Sequence, residues 1–597
     1  MQEQNQATEQ DLLQRVSEHL AVIYPDEDLD VLSADLVTAI GTSCDVSRPT
    51  PHKSHWDQGD CVVITYGNTI KKRGEQPLVT LHRFLKKHLK NKVSIVHILP
   101  FFPYSSDDGF SVIDHLKVNP AIGGWPEVEG IAEDFKLMSD LVINHVSRQS
   151  RWFENFKSGV KPGKGYFVEA DPEEDYSAVV RPRNSPLLCS VKTDDGERHV
   201  WCTFGSDQID VNFKNPEVLK EFVQIARNYL DHGVSIFRMD AVPFLWKERG
   251  TSCVNLQQTH EIIKLFRTLI EHNSPEALIV CENNVPNSEN LTYFGNANEA
   301  HIIYNFSLPP LLAYTLLAAD CRHLKTWLMS MPPAQLGTAY LNFIASHDGI
   351  GLRPLDGLLS NRERDKLVRR TKNAGGRVTY RRAREGYDKP YELNIALIDL
   401  LQATFDGPGA DLGYERYICA HTIMLALEGI PAIYIQSFLG ARNDLARVER
   451  TGRNRSINRQ IWQEEDLENE LGDAESPHAR VFRELTRLLI IRKRQHAFHP
   501  NATQYTLHLG HEIFAFWRQS INRDQSIFCI TNVTAEEKSI CLADVNLIST
   551  DEWLDLIGGE QYQDIGAYIE LHPYQTVWIS NKQPDETPDP KSLAPSI

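Results

Sequence analysis

The chain has 597 residues, a length at which one small core gives way to several domains or to a large barrel with insertions. Hydrophobic residues make up 41% and charged residues 24%, the balance of a globular protein, and no apolar run approaches the roughly 18–20 residues of a membrane span, which excludes disordered and membrane-embedded classes. A net charge of −18 at pH 7 disfavours nucleic acid and anionic lipid as partners unless a local basic patch offsets it.

The N-terminal segment MQEQNQATEQDLLQRVSEHL is polar and has no basic stretch followed by an apolar one. Residues 1–54 are therefore expected to be a helical extension rather than a secretory signal, with cytoplasmic residence as the consequence. From about residue 60, eight short apolar or β-branched runs recur: CVVITYG, VSIVHILPF, KLMSDLVINH, GVSIFRMDAV, ALIVCEN, AHIIYNF, TAYLNFIASHD and IPAIYIQS. Helix-like segments separate them, such as PEVLKEFVQIARNYLDHG, with a proline near its start and a glycine just past its end. This alternation predicts an α/β fold, a (β/α)8 TIM barrel over 55–146 and 213–494. Two intervals break the rhythm. Residues 147–212, long and aromatic, predict an inserted domain, and residues 353–415, rich in Arg and Gly, a second insertion. Beyond 495 the alternating segments EIFAFWRQS, SIFCITNVT and TVWIS predict a small β domain to residue 580, and the proline-rich 581–597 a disordered tail. The ten cysteines are scattered, with no CxxC pair, and read as reduced core thiols, among them Cys61, Cys281 and Cys529.

Working residues of such a barrel lie at the C-terminal ends of its strands. Here these ends carry Asn144 and His145, Arg238 and Asp240, Glu282, and His347 and Asp348. Any one acid in such a place can be a helix cap or an ion-pair member. Three carboxylates at one mouth repel each other and push at least one pKa up, which a reaction must repay. Glycoside cleavage with retention supplies one: a carboxylate attacks the anomeric carbon while a protonated partner donates to the leaving oxygen. Arg238 beside Asp240 is expected to keep that carboxylate ionised.

These four segments resemble, in order and spacing, the signature regions of the α-amylase superfamily, glycoside hydrolase family 13. The resemblance implies Asp240 as nucleophile, Glu282 as general acid/base and Asp348 as transition-state stabiliser. It also implies Asp140 as a structural member, Asn144 and Arg238 as supporting residues, and His145 and His347 as ligands of glucose hydroxyls. The stretch LPFFPYSSDDGFSVIDHLKV, with RMDAVPFLWKERGTSC, SLPPLL and RTGRNRSINR, is similar to the sucrose-phosphorylase subgroup. That likeness implies Asp107 as a clamp on distal glucose hydroxyls, Phe110 as a platform for the ring, and Arg455 as the residue closing a pocket for one glucose. The segment VVRPRNSP resembles the subgroup's phosphate loop, which implies Arg183, with Arg181 beside it, as phosphate ligands.

Sucrose phosphorylases commonly carry a histidine two positions after the acid/base and a tyrosine four after the nucleophile; this chain has Asn284 and Phe244 there. Those departures at the acceptor site argue against fructose, and the sequence looks closer to glucosylglycerol and glucosylglycerate phosphorylases. The segment REGYDKP departs from the turn associated with glucosylglycerate enzymes, so the expectation leans to 2-O-α-D-glucosylglycerol and phosphate giving α-D-glucose 1-phosphate and glycerol. Glucosylglycerate, then sucrose or sucrose 6′-phosphate, are the alternatives. An α-glucoside hydrolase of the same fold is the enzymatic rival, and a non-catalytic amylase-like binding protein would be expected to lack one of the three carboxylates. No cofactor and no metal is expected, since HExxH and paired-cysteine patterns are absent and this nucleophile chemistry uses none. The expected partners are a small glucoside and phosphate.

Overall fold

The computed structural model describes residues 2–41, 54–382, 388–406, 410–545, 552–564 and 566–581. Eight parallel strands close a barrel in chain order: β1 (Val62–Thr65), β2 (Ile95–Ile98), β3 (Lys136–Val142), β4 (Val234–Asp240), β5 (Leu278–Cys281), β6 (Ile302–Tyr304), β7 (Ala339–Asn342) and β8 (Ile430–Tyr434), with β8 returning to β1. Each arises from one of the eight apolar runs. Strands buried on both faces, by the barrel interior and by the helices outside, read as unbroken apolar stretches, and β2 and β5 are buried at every position.

The helix Pro216–Asp231 shows why the outer layer forms. Asn215 caps its N-terminus by accepting from the Glu217 N–H, Pro216 occupies the first turn, and Val218, Leu219, Phe222, Val223, Ala226 and Tyr229 line the one face that is buried. The N-terminal helices Gln2–Ile23 and Leu29–Ile40 extend this layer. They bury Leu12, Val16, Leu20 and Leu36, and are fixed by His19 Nδ1 to Glu261 at 2.6 Å and by Arg227 Nη1 donating to Ile40 O at 3.0 Å.

Between β3 and β4 lie the helix Arg151–Lys157 and an antiparallel hairpin, Leu188–Thr193 with Gly196–Trp201. Between β7 and β8, Ile350–Gly351, Asp388–Asn394 and Arg377–Arg382 form a three-stranded antiparallel sheet beside the helix Asn361–Asn373. The two insertions touch: Asn184 Nδ2 donates to Tyr380 O at 3.1 Å.

The C-terminal region is a six-stranded sheet with a separate antiparallel pair. Strand alternation divides its residues. Ile513, Ala515, Phe528 and Ile530 build a core of their own, while Phe514, Phe516, Ile527 and Cys529 join the barrel core. Arg518 sits at this seam, buried, donating to Ala426 O at 2.7 Å and His499 O at 2.8 Å; burial pushes its guanidinium down to about 10. The nine cysteines among the described residues form no disulfide. The expected disordered tail lies, from residue 582, outside the described residues. Among those residues no helix is long and apolar enough to cross a membrane.

Candidate active site

Strand register assembles the site. Asp140 on β3 stands opposite Arg238 on β4, and Val142 opposite Asp240; across the next pair Met239 stands opposite Cys281, so Glu282 leaves β5 level with the end of β4. Ala241, in the left-handed region at φ 55°, turns the chain sharply after Asp240, and its N–H points to Glu282 Oε2 at 3.4 Å. Asp348 arrives from the segment after β7. The three carboxylates thus line one cavity of about 650 Å³, its open mouth included.

Arg238, expected as a supporting residue and grouped with those that bind substrate, threads beneath them rather than lining the cavity, so its place is to hold the carboxylates and not to touch substrate. Its Nη1 donates to Asp140 and, at 2.9 Å, to Asp240 Oδ1, while Nη2 lies 3.9 Å from Glu282. The guanidinium is held by the faces of Phe110 and Tyr304, each 5.6 Å away. Burial works against the charge on Asp140, but Arg238 and His97 outweigh it and hold the carboxyl below its ordinary value. At Asp240 burial prevails over Arg238 and His145, and the carboxyl is raised above its ordinary value. Glu282 is raised to about 7 by burial and then by Asp240 and Asp348, against the pull of Arg238. Since Arg238 hydrogen-bonds Asp240 and stands a full ångström farther from Glu282, Asp240 ionises first. The environments therefore separate one anionic carboxylate from one acid near neutrality.

One end of the cavity collects glucose-type partners. Asp107, Asp108 and Gly109 all have positive φ (54°, 48° and 116°), and a Cβ on Gly109 would come within 2.7 Å of Pro100 O. This tight turn sends Asp107 into the cavity and Asp108 behind it to Arg459. Burial opposes the charge of Asp107, yet Arg455, Arg183 and Arg459 bring its carboxyl down to about 2. Phe110 stacks flat on His347, with centroids 5.1 Å apart and planes at 7°. Burial pushes His347 well below its ordinary value, so it faces the cavity as a neutral imidazole. His145 Nε2 lies 2.9 Å from Phe110 O, and its neighbour Asn144 is held by Lys247 Nζ at 2.8 Å. Arg455 pairs with Asp348 and forks onto Glu392 through Nε at 3.0 Å and Nη2 at 2.6 Å.

The other end carries Asn284, Phe244, Arg183, Arg353 and Tyr391. The guanidiniums of Arg183 and Arg353 make no hydrogen bond or ion pair with any described residue, although they face a cavity. Arg181 does not join them. Its Nη2 is taken by Ser185 O, and its guanidinium lies toward Asp210 and the thiols of Cys202 and Cys189, away from the cavity; this corrects its expected place beside phosphate. Sequence reasoning missed Arg353, Tyr391 and Glu392, which come from the second insertion, and Gln208, whose Nε2 donates to Asp107 Oδ2 at 3.3 Å. Among the described residues no group of three or more His, Cys, Asp or Glu could hold a metal ion.

The family model of the α-amylase catalytic domain matches residues 87–354. The chain is 39% identical over 570 residues to the glucosylglycerate phosphorylase of Allomeiothermus silvanus, covering 95% of this chain and 99% of that protein. It is 28% identical over 423 residues to the glucosylglycerol phosphorylase of Marinobacter adhaerens, covering 69% and 82%. Among solved structures it is similar to sucrose 6F-phosphate phosphorylase from Thermoanaerobacter thermosaccharolyticum, with a TM-score of 0.69 and 24% identity over 80% of this chain and 94% of that one, a likeness of fold.

Proposed function

The chain belongs to the α-amylase family and is a glycoside phosphorylase, a glycosyltransferase that cleaves a glycosidic bond with phosphate; on that premise we propose that its donor is α-glucosylglycerate and its products are α-D-glucose 1-phosphate and glycerate. The 39% identity over nearly the whole chain to a glucosylglycerate phosphorylase, against 28% over two-thirds of it to a glucosylglycerol phosphorylase, carries the choice of acceptor. It displaces the lean to glycerol, whose motif, REGYDKP, falls largely on residues 384–387, outside those described. Two guanidiniums without protein partners support the same reading, since an anionic leaving group and an anionic nucleophile use the acceptor end in turn.

The reaction is a double displacement with retention. Asp240 attacks the anomeric carbon as Glu282 gives its proton to the glycosidic oxygen, releasing glycerate and leaving a β-glucosyl ester on Asp240. Phosphate then enters, gives a proton to Glu282 and attacks the same carbon, which frees Asp240 and forms α-D-glucose 1-phosphate. Asp348, fixed by Arg455, stabilises the positive charge that develops on the ring.

The deciding experiment measures glucose 1-phosphate release from glucosylglycerate, glucosylglycerol, sucrose and sucrose 6′-phosphate, each with and without phosphate. Glucosylglycerate is expected to give by far the highest phosphate-dependent rate. Glucose release indifferent to phosphate would overturn the reading. Arg183→Ala is expected to raise the apparent KM for phosphate by about 10- to 100-fold while hydrolysis of the glucosyl-enzyme changes much less. An unchanged phosphate KM removes Arg183 from that role.

A further inference from the structure

Resting on the donor proposed above, we infer that Arg353 is the specificity-determining residue that binds the carboxylate of the leaving glycerate, with Asn284 beside it as the acceptor for a glycerate hydroxyl. Arg353 opens the short 3-10 turn Arg353–Leu355, five residues beyond Asp348. The turn is anchored to the second insertion where the Leu352 N–H donates to Tyr391 O at 2.9 Å. Its side chain lines the cavity at the acceptor end.

The guanidinium there is a cation without a counter-ion. Burial pushes it below its ordinary value, and the two carboxylates near enough to oppose that shift are engaged elsewhere: Glu289 accepts from Asn255 Nδ2 at 2.7 Å, and Asp356 from Arg364 Nη1 at 2.6 Å. A half-buried guanidinium with no protein carboxylate within ion-pair distance is costly unless an anion visits it. Asn284 supplies the second half of the site. It lies two residues beyond Glu282, packed so closely on the chain before Arg353 that a Cβ on Gly351 would be 3.1 Å from its Nδ2, and its Oδ1 is buried with no partner.

The chemistry of the leaving group fits this spacing. In a glycerate glycosylated on its 2-hydroxyl, the carboxylate and the free hydroxymethyl group are attached to the carbon bearing the glycosidic oxygen. Their binding groups must therefore stand next to the acid that protonates that oxygen. Arg353 and Asn284 line the same cavity as Glu282, with Asn284 packed on Gly351, two residues before Arg353, and the fork of the guanidinium matches a carboxylate in a way a glycerol hydroxymethyl cannot use.

The test compares kcat/KM for 2-O-α-glucosylglycerate with that for 2-O-α-glucosylglycerol in wild type, Arg353→Gln and Arg353→Lys. The wild-type ratio is expected to favour glucosylglycerate, and Arg353→Gln to lower it by on the order of 100-fold, most of the loss falling on the glycerate donor. Arg353→Lys, which keeps the charge without the fork, is expected to lose only about tenfold. Should the glutamine variant fail to fold, the lysine variant alone still carries the test. A wild type that prefers the neutral donor overturns the proposed donor and this assignment together. A wild-type preference for glucosylglycerate with a ratio unmoved in either variant overturns the assignment alone.

Discussion

Replacement of Asp240 by Asn is expected to lower phosphorolysis by about 10⁴-fold or more and to abolish formation of the glucosyl-enzyme, because the amide keeps the shape of the carboxyl and loses the attacking oxygen. The change is nearly isosteric, and Arg238 retains its bond to Asp140, so the fold should persist. Removing one anion from a buried cluster of three also relieves the repulsion that raises Glu282. A second consequence is therefore expected: the carboxyl of Glu282 titrates lower in this variant than in the wild type. The measurements are glucose 1-phosphate release and mass spectrometry of protein mixed with α-glucosyl fluoride, which should show a glucosylated wild type and an unmodified variant. Phosphorolysis within tenfold of wild type would remove Asp240 from the nucleophile's role.

The barrel was legible because its strands are buried on both faces, so that CVVIT, SIVHI and ALIVC announce themselves as apolar runs whatever surrounds them. Residues at strand ends were legible because three carboxylates close such runs together, where any one alone could be a helix cap or an ion-pair member. The acceptor end was not. Tyr391 and Glu392 sit within a strand of the second insertion, among other polar residues, and that strand, paired with Ile350–Gly351, brings Tyr391 to the cavity and Glu392 to Arg455. Arg353 was one of many arginines in a basic stretch, and nothing local separates the one that faces the cavity from those that face solvent. Arg181 and Arg183 make the same point, two residues apart with opposite fates decided by the Ser185 carbonyl. The direction in which the Asp240 carboxyl is shifted is a related case: sequence placed Arg238 beside it, but the burial that raises it is a property of packing.

Glu282→Gln is expected to cost about 10²- to 10⁴-fold with glucosylglycerate, whose alkoxide is a poor leaving group, and far less with α-glucosyl fluoride, whose leaving group needs little protonation. The pH dependence sharpens the test. Burial, Asp240 and Asp348 raise Glu282 to about 7, so its acid form predominates below that value and is lost above it. The wild-type kcat/KM for glucosylglycerate is therefore expected to fall about tenfold per pH unit on the alkaline side of neutrality, with Asp240, which must be ionised to attack, setting the acid limb at lower pH. In Glu282→Gln the acid is gone at every pH. Its residual rate should lose the alkaline limb and keep the acid one, while the fluoride donor shows no such limb even in the wild type. Equal losses with both donors, or an alkaline limb that survives the substitution, would mean that another group delivers the proton. Azide, a nucleophile that needs no deprotonation, should restore turnover of the fluoride donor in this variant by displacing Asp240 from the β-glucosyl ester with inversion, so that the product is the α-glucosyl azide; a β-glucosyl azide would mean that azide had attacked the α-fluoride directly, without an ester on Asp240.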